Sequence, residues 1–345
     1  MNILIPVFSF GRGGGERVLS LLASELVKNG NRVFFVSPES GNIPYYPTEA
    51  EIFTFPDTKK FSRSLNFIIN YFNCWKKCRN LDADVAIANY HITALLVLFL
   101  KRNTKKFYYI QANEAKLCPR FLRKIFAFLT YFLPLNKIVN SKTILPNFIN
   151  NYIAVIPAGI DLNLYSSKKL PLINSVDKVK IGIVGRKEPY KGTIELINAL
   201  SNLDQGLKSR IKLHIAIHIP QDAIGKLWDF EFFEINNDTD LSDFYKSNDV
   251  VIAVGLIENG AFHYPCAEAM ASGRLVISNY SPLHETQSVL KISDFSEINV
   301  LTALEQIFNM SEDEISEEVT SNLLKINDCS WEKIGKKMNK ILSEH

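Results

Sequence analysis

A chain of 345 residues, 47% hydrophobic, has the length of about two ordinary domains and enough apolar side chains to fill a core in each. The first residues, Met1-Asn-Ile-Leu-Ile-Pro-Val, lack the basic region of a secretion signal. No apolar run reaches the ~20 residues that cross a bilayer, and five scattered cysteines suit reduced thiols better than a disulfide framework, so a soluble cytoplasmic protein is expected. The net charge of +3 hides a split: in residues 1–160, 20 Lys+Arg and 9 Asp+Glu give +11, and in the remainder 19 and 27 give −8, so the first half is expected to face an anionic surface or ligand.

In chain order, Ile3–Phe8, Arg32–Ser37, Ile52–Phe55, Val85–Ala88, Phe107–Ile110, Lys137–Val139 and Ile153–Ile156 read as strands, being Val, Ile, Phe and Tyr runs bounded by Gly, Asn or Asp. Helices are expected between them, notably at 17–29, 62–80 and 119–133. The first of these has apolar residues at 18, 19, 22, 23 and 26 and ends at Gly30. Alternating strands and helices imply a parallel, doubly wound sheet. Between the first strand and first helix lies Gly11-Arg-Gly-Gly-Gly-Glu-Arg17. Glycine lets a ligand approach the backbone, and helix N-termini favour anions. A nicotinamide fingerprint is a competing reading, with Glu39 near the ribose-acid position, but Glu16 stands where the third glycine belongs. His91 follows a strand at a sheet carboxyl end, where open α/β sheets bind ligands.

Residues 157–178 read as a linker. Alternation resumes with strands at 179–184, 211–217, 230–235, 249–254 and 274–278 and helices at 193–201, 240–247 and 265–272. Further helices near 298–309, 312–326 and 331–343 follow. The segment Val184-Gly-Arg-Lys-Glu-Pro-Tyr-Lys-Gly192 leaves a buried strand and puts Arg186 and Lys191 at the mouth of a helix. A guanidinium fork, an ammonium and open backbone N–H groups suit a diphosphate. Downstream, Gly260-Ala-Phe-His-Tyr-Pro-Cys-Ala-Glu268-Ala-Met-Ala-Ser-Gly273 sets one carboxylate inside an apolar helix. Cys74 and Cys78 are four apart on a helix without the further ligands zinc needs. His214 and His218 alternate with apolar residues and read as packing residues.

Six motifs occur in order: Gly13-Gly-Gly-Glu-Arg-Val, Ile156-Pro-Ala-Gly-Ile-Asp161, Gly185-Arg with Lys191-Gly, Asp249-Val-Val-Ile, Pro265 to Gly273, and Trp331 opening the last helix. Together they resemble the retaining family 4 glycosyltransferases of GT-B fold. Phe107-Tyr-Tyr-Ile-Gln-Ala-Asn-Glu114 with Phe262-His-Tyr-Pro resembles a bacterial subgroup that builds cell-surface polysaccharides. The resemblance implies two Rossmann-like doubly wound lobes facing across a cleft. Residues 1–165, joined by the C-terminal helix 329–345, would bind the acceptor, and 166–328 the nucleotide sugar. It implies that Arg186 and Lys191 bind the donor diphosphate and stabilise the leaving group, that Glu268 holds the ribose, and that Gly185, Gly14 and Gly15 lie at the donor. No metal or other cofactor is implied, and a UDP-sugar is favoured over a GDP- or dTDP-sugar.

Two departures from that pattern matter. Gly260 stands where the family has an acid for the donor sugar, so Glu258 and His263 become candidates for that contact. Gln111 stands where a histidine is frequent, with Glu114 just beyond; together with His91 they are the acceptor-side candidates. The expected acceptor is a glycan or a lipid-linked intermediate of polysaccharide or lipopolysaccharide synthesis. Basic residues interleaved with aromatics, at Lys59–Arg79 and Arg120–Lys124, suggest an anionic membrane surface on the inner face of the cell membrane. Burial of each apolar stripe against the sheet is the plainer reading of those helices. No nucleic-acid module is present. A sugar-nucleotide epimerase or hydrolase on the same fold, and a degenerate protein that only binds glycan or a partner, are the alternatives.

Overall fold

A computed structural model describes residues 1–167, 169–173 and 177–345. Positions 168 and 174–176 of the expected linker lie outside the described residues. The elements in chain order are β1 (Asn2–Pro6), α1 (Gly14–Lys28), β2 (Arg32–Pro38), β3 (Glu51–Phe55), α2 (Arg63–Asn80), β4 (Val85–Ala88), α3 (His91–Leu98), β5 (Lys105–Ile110), α4 (Glu114–Leu117), α5 (Phe121–Thr130), β6 (Asn136–Val139), β7 (Tyr152–Val155) and α6 (Leu162–Tyr165). They continue with β8 (Val179–Val184), α7 (Thr193–Ser201), α8 (Gln205–Ser209), β9 (Ile211–Ala216), β10 (Phe230–Phe233), α9 (Asp238–Lys246), β11 (Val250–Ile252), α10 (Tyr264–Ala271), β12 (Leu275–Ile277), α11 (Glu297–Asn309), α12 (Glu312–Asn327) and α13 (Trp331–Glu344). Among the described residues no helix is long and apolar enough to cross a membrane.

Contacts divide the chain into two compact units, Met1–Gly159 with Trp331–His345, and Ile160–Ser330. Residues 160–165 therefore go with the second unit, although the sequence reading ran the first lobe to 165. The reason is local. Ser242 Oγ and Lys246 Nζ both donate to the Leu164 carbonyl, tying α6 to α9. Ile160 N–H donates to the Cys329 carbonyl, which keeps Cys329 and Ser330 with the second unit too.

The first unit is a parallel sheet of order β3-β2-β1-β4-β5-β6-β7. Chain order reverses at β1 and β4, so ligand-bearing loops belong at the carboxyl ends of these strands. Helix α1 buries Val18, Leu19, Leu22, Ala23 and Leu26 and ends at Gly30, whose φ of 82° is the left-handed geometry that glycine adopts without strain. Helix α13 returns to this unit and lies so near α1 that a Cβ on Gly335 would sit 2.5 Å from Glu25 Cβ. The second unit has the order β10-β9-β8-β11-β12, again parallel. Its core joins Ile181, Ile183, Leu213, Ile252 and Ile277 of the strands to Leu196, Leu200 and Leu304 of the helices. The reversal here falls between β8 and β11, the strands that precede the two segments singled out above.

Candidate donor and acceptor sites

In the second unit, β8 ends at Val184 and the chain turns at Gly185. A Cβ there would meet the His218 carbonyl oxygen at 1.8 Å, so only glycine fits beside β9. Arg186 N–H donates to Thr193 Oγ1 at 2.9 Å, which fixes the start of the loop to the first residue of α7. Pro189–Lys191 form one 3-10 turn, and Gly192, at φ 72°, caps α7 without a side-chain bond. The exposed Arg186 and partly buried Lys191 thus stand at a helix N-terminus whose amides have no side-chain acceptor. Burial pulls the Lys191 pKa below the ordinary lysine value. Glu258 opposes this shift and Arg186 reinforces it.

The segment after β11 closes on the same place. Leu256 N–H donates to the Tyr190 carbonyl. Glu258 has φ 61°, a left-handed conformation costly for a residue with a side chain. Gly260, at φ 75°, gives its N–H to the Asn279 carbonyl at 2.7 Å. His263 caps α10 and packs on Tyr280, ring centroids 4.3 Å apart. Its Nδ1 is buried with no hydrogen-bond partner. Burial, with Lys191 and Arg186 nearby, holds the His263 pKa well below the usual histidine value, so the ring is neutral. Arg186, Lys191, Glu258 and His263 form one electrostatic cluster around the mouth of α7.

Glu268 lies on α10 and is 1% exposed. Tyr165 of α6 donates to its Oε1 at 3.0 Å and Tyr245 of α9 to its Oε2 at 3.1 Å. The ribose contact implied by the resemblance does not find an open carboxylate here. The packing of α6 and α9 against α10 buries it, and the two tyrosine hydroxyls each take one acceptor site of the carboxylate. Arg186 acts electrostatically on Tyr245, so the buried acid borders the same cluster.

The first unit carries the other candidates. Gly14 and Gly15 open α1, and the N-cap residue Gly13 supplies no side-chain bond. A Cβ on Gly13 would sit 2.3 Å from Glu16 Oε2, so the glycine makes room for Glu16 to fold back. Gln111 follows β5 and lies against Gly15, its Nε2 3.5 Å from the Gly15 carbonyl. His91 and Glu114 are buried against each other. They are 2% and 5% exposed. Glu114 Oε2 accepts from the His91 backbone N–H at 2.6 Å and lies 2.7 Å from His91 Nδ1, while Tyr108 donates to Oε1 at 2.8 Å. His91 begins α3, and its ring lies inward against Glu114. Of the three acceptor-side candidates, Gln111 alone keeps partial exposure.

Residues 12–164 match the model of Glycosyltransferase Family 4. Solved structures similar over the whole chain include sucrose-phosphate synthase from Thermosynechococcus elongatus, 14% identical, covering 99% of this chain and 98% of that one, with a TM-score of 0.75. Alr3699/HepE of Anabaena in complex with UDP-glucose is 14% identical over 100% of both chains, TM-score 0.72. WaaG, a glycosyltransferase involved in lipopolysaccharide biosynthesis, is 15% identical over 99% and 100%, TM-score 0.69. The chain shares the GT-B fold of these structures. No protein of curated function matches the chain in sequence.

Several residues of the candidate site carry no local sequence signal. Tyr165, Tyr245, Tyr280 and Asn279 reach it from other elements, and only the topology assembles them. Tyr165 had a weak cue: Asp161 caps α6 through Asn163 and Leu164 N–H, which makes 162–165 a helical turn with one buried face.

Proposed function

We propose that the chain transfers a sugar, with retention of configuration, from a nucleotide donor to a glycan or lipid-linked acceptor in cell-surface polysaccharide or lipopolysaccharide synthesis. The observation that carries this is the pairing of Arg186 and Lys191 at the N-terminus of α7. When the glycosidic bond to the donor breaks, negative charge grows on the departing diphosphate. A fixed guanidinium, a partly buried ammonium and open helix amides stabilise that charge without reorganising. These two cations supply what a metal ion would otherwise provide, so transfer is metal-independent. Glu258 and the neutral His263 border the same cluster and can hydrogen-bond the sugar. UDP is the favoured nucleotide, in keeping with the UDP-glucose in the similar Alr3699/HepE. Gly14 and Gly15 lie beside the donor phosphate, the first unit takes the acceptor beside Gln111, and its cationic surface supports a position on the inner face of the membrane. The role of WaaG in lipopolysaccharide biosynthesis supports this choice of acceptor.

Arg186→Ala and Lys191→Ala each lower the transfer rate by about two orders of magnitude, because one lost charge-stabilising contact costs ~3 kcal/mol in the transition state. The melting temperature stays put in both, and wild-type transfer persists in EDTA. The assay is release of nucleoside diphosphate in the presence of acceptor. Near wild-type turnover in both variants removes the diphosphate assignment.

A further inference from the structure

Helix α5 is turned inside out. Toward its own unit it buries the small residues Ala127 and Thr130. Outward it shows Phe121, Leu122, Ile125, Phe126 and Leu129, and Phe132 and Phe148 extend the same face. Phe121 is 74% and Leu122 78% exposed, in a run of six residues, 121–126, that are all exposed. A helix on the outside of a doubly wound sheet normally buries its large apolar side chains and leaves polar ones out. Here the large ones are out, and rings bind the patch together: Phe128 meets Phe132 at 5.4 Å and Phe148 at 6.2 Å between centroids. A patch this concentrated is covered by something in use.

Charge decides what covers it. Residues 115–160 contain six Lys and Arg and no Asp or Glu. Lys137 is buried, leaving Lys116, Arg120, Arg123, Lys124 and Lys142 exposed, without a carboxylate partner among the described residues. A second copy docked face to face would set these cations against their own image. An anionic bilayer satisfies both halves of the surface, since lipid phosphates meet the cations and the acyl region takes the rings.

The geometry points to α5, with Phe132 and Phe148, as a membrane-inserted anchor whose apolar edge lies below the phosphates of anionic lipid. This deepens the membrane side of the proposed function by naming the inserted element. Electrostatic contact alone, by α2 or by the basic residues in general, would leave Leu122 in water.

The test uses full-length protein and vesicles of phosphatidylcholine with or without phosphatidylglycerol. In Leu122→Trp, emission from the new indole, read against the parent with its own tryptophans, shifts blue and is quenched by bromine on the acyl chains. This occurs only on vesicles containing phosphatidylglycerol. Phe121→Ser, Leu122→Ser and Leu129→Ser combined weaken partitioning about a hundredfold, as several apolar groups leave the acyl region. All three positions are exposed, so the melting temperature and its rise with UDP are unchanged. A combined Phe121→Leu and Leu122→Phe variant partitions like the wild type. Vesicle binding needs neither donor nor acceptor, so it stands or falls apart from the transferase reading. The proposal is overturned if wild-type protein ignores anionic vesicles, or if it binds them with the indole unquenched. It is equally overturned if the wild type dimerises in solution through this face and the triple variant is monomeric.

Discussion

At Lys191, burial and a neighbouring guanidinium both favour the uncharged amine. An arriving diphosphate favours the ammonium. Binding therefore takes up a proton once the pH exceeds the lowered pKa of the free protein. UDP affinity is flat below that point and falls above it, earlier than an ordinary lysine would require. Lys191→Arg keeps its charge and flattens the alkaline limb, which titration calorimetry at rising pH reads directly. At His263 the sign is worked the same way. Its folded pKa is depressed by burial and by Lys191 and Arg186, so the unfolded chain takes up the proton first as the pH falls. Stability is complete above the unperturbed histidine pKa of about 6.5 and declines below it. His214, also buried and depressed, contributes in the same direction. Melting midpoints followed from neutral to acid pH should fall less steeply in His263→Gln than in the wild type. An unchanged slope would show that His263 is open to water.

The elements place these side chains, and one contact between elements is testable without touching the site. Gly335 lets α13 approach α1 until a Cβ would meet Glu25 Cβ at 2.5 Å. Gly335→Ala improves helix propensity but forces the two helices apart. Overpacking of this kind costs about 1–3 kcal/mol, so urea unfolding of the first unit moves to lower denaturant. A gain in stability would mean that α13 slides freely on α1. How far the elements were legible depended on whether their signals were local. Strands β4 and β8 and helix α7 were readable because apolar runs end at turn residues within the segment itself. Gly192 is required by its own backbone, at φ 72°, whereas Gly185 is required by the His218 carbonyl, 33 residues on. Helix α3 had no bounds in the sequence because its eight residues, HITALLVL, are almost uniformly apolar and show no 3.6-residue period. Nothing local to His91 reveals its bond to Glu114, 23 residues on. Glu268 was recognisable as a carboxylate in an apolar helix. The tyrosine hydroxyls that close over it come from positions 23 and 103 residues away, which no spacing reveals.

On the scale of the molecule, two cores built on separate sheets should not melt as one. Calorimetry is expected to resolve two transitions, and UDP at a hundred times its dissociation constant should raise only the one belonging to Ile160–Ser330, by the equivalent of about 2.7 kcal/mol. A shift in the other transition would move the donor site to the first unit. The opposite charges of the two halves predict that salt affects these transitions unequally. The return of α13 to the first unit has a consequence for biosynthesis. Residues 331–345 are translated only after the whole of Ile160–Ser330 has been made, yet the Glu25 and Asn29 side of α1 stays uncovered until they arrive. The unit begun first is thus finished last. A nascent chain passes through a stage in which the second unit can close while the first still waits for its final helix, and in that interval α1 is the surface that a chaperone or a protease would find.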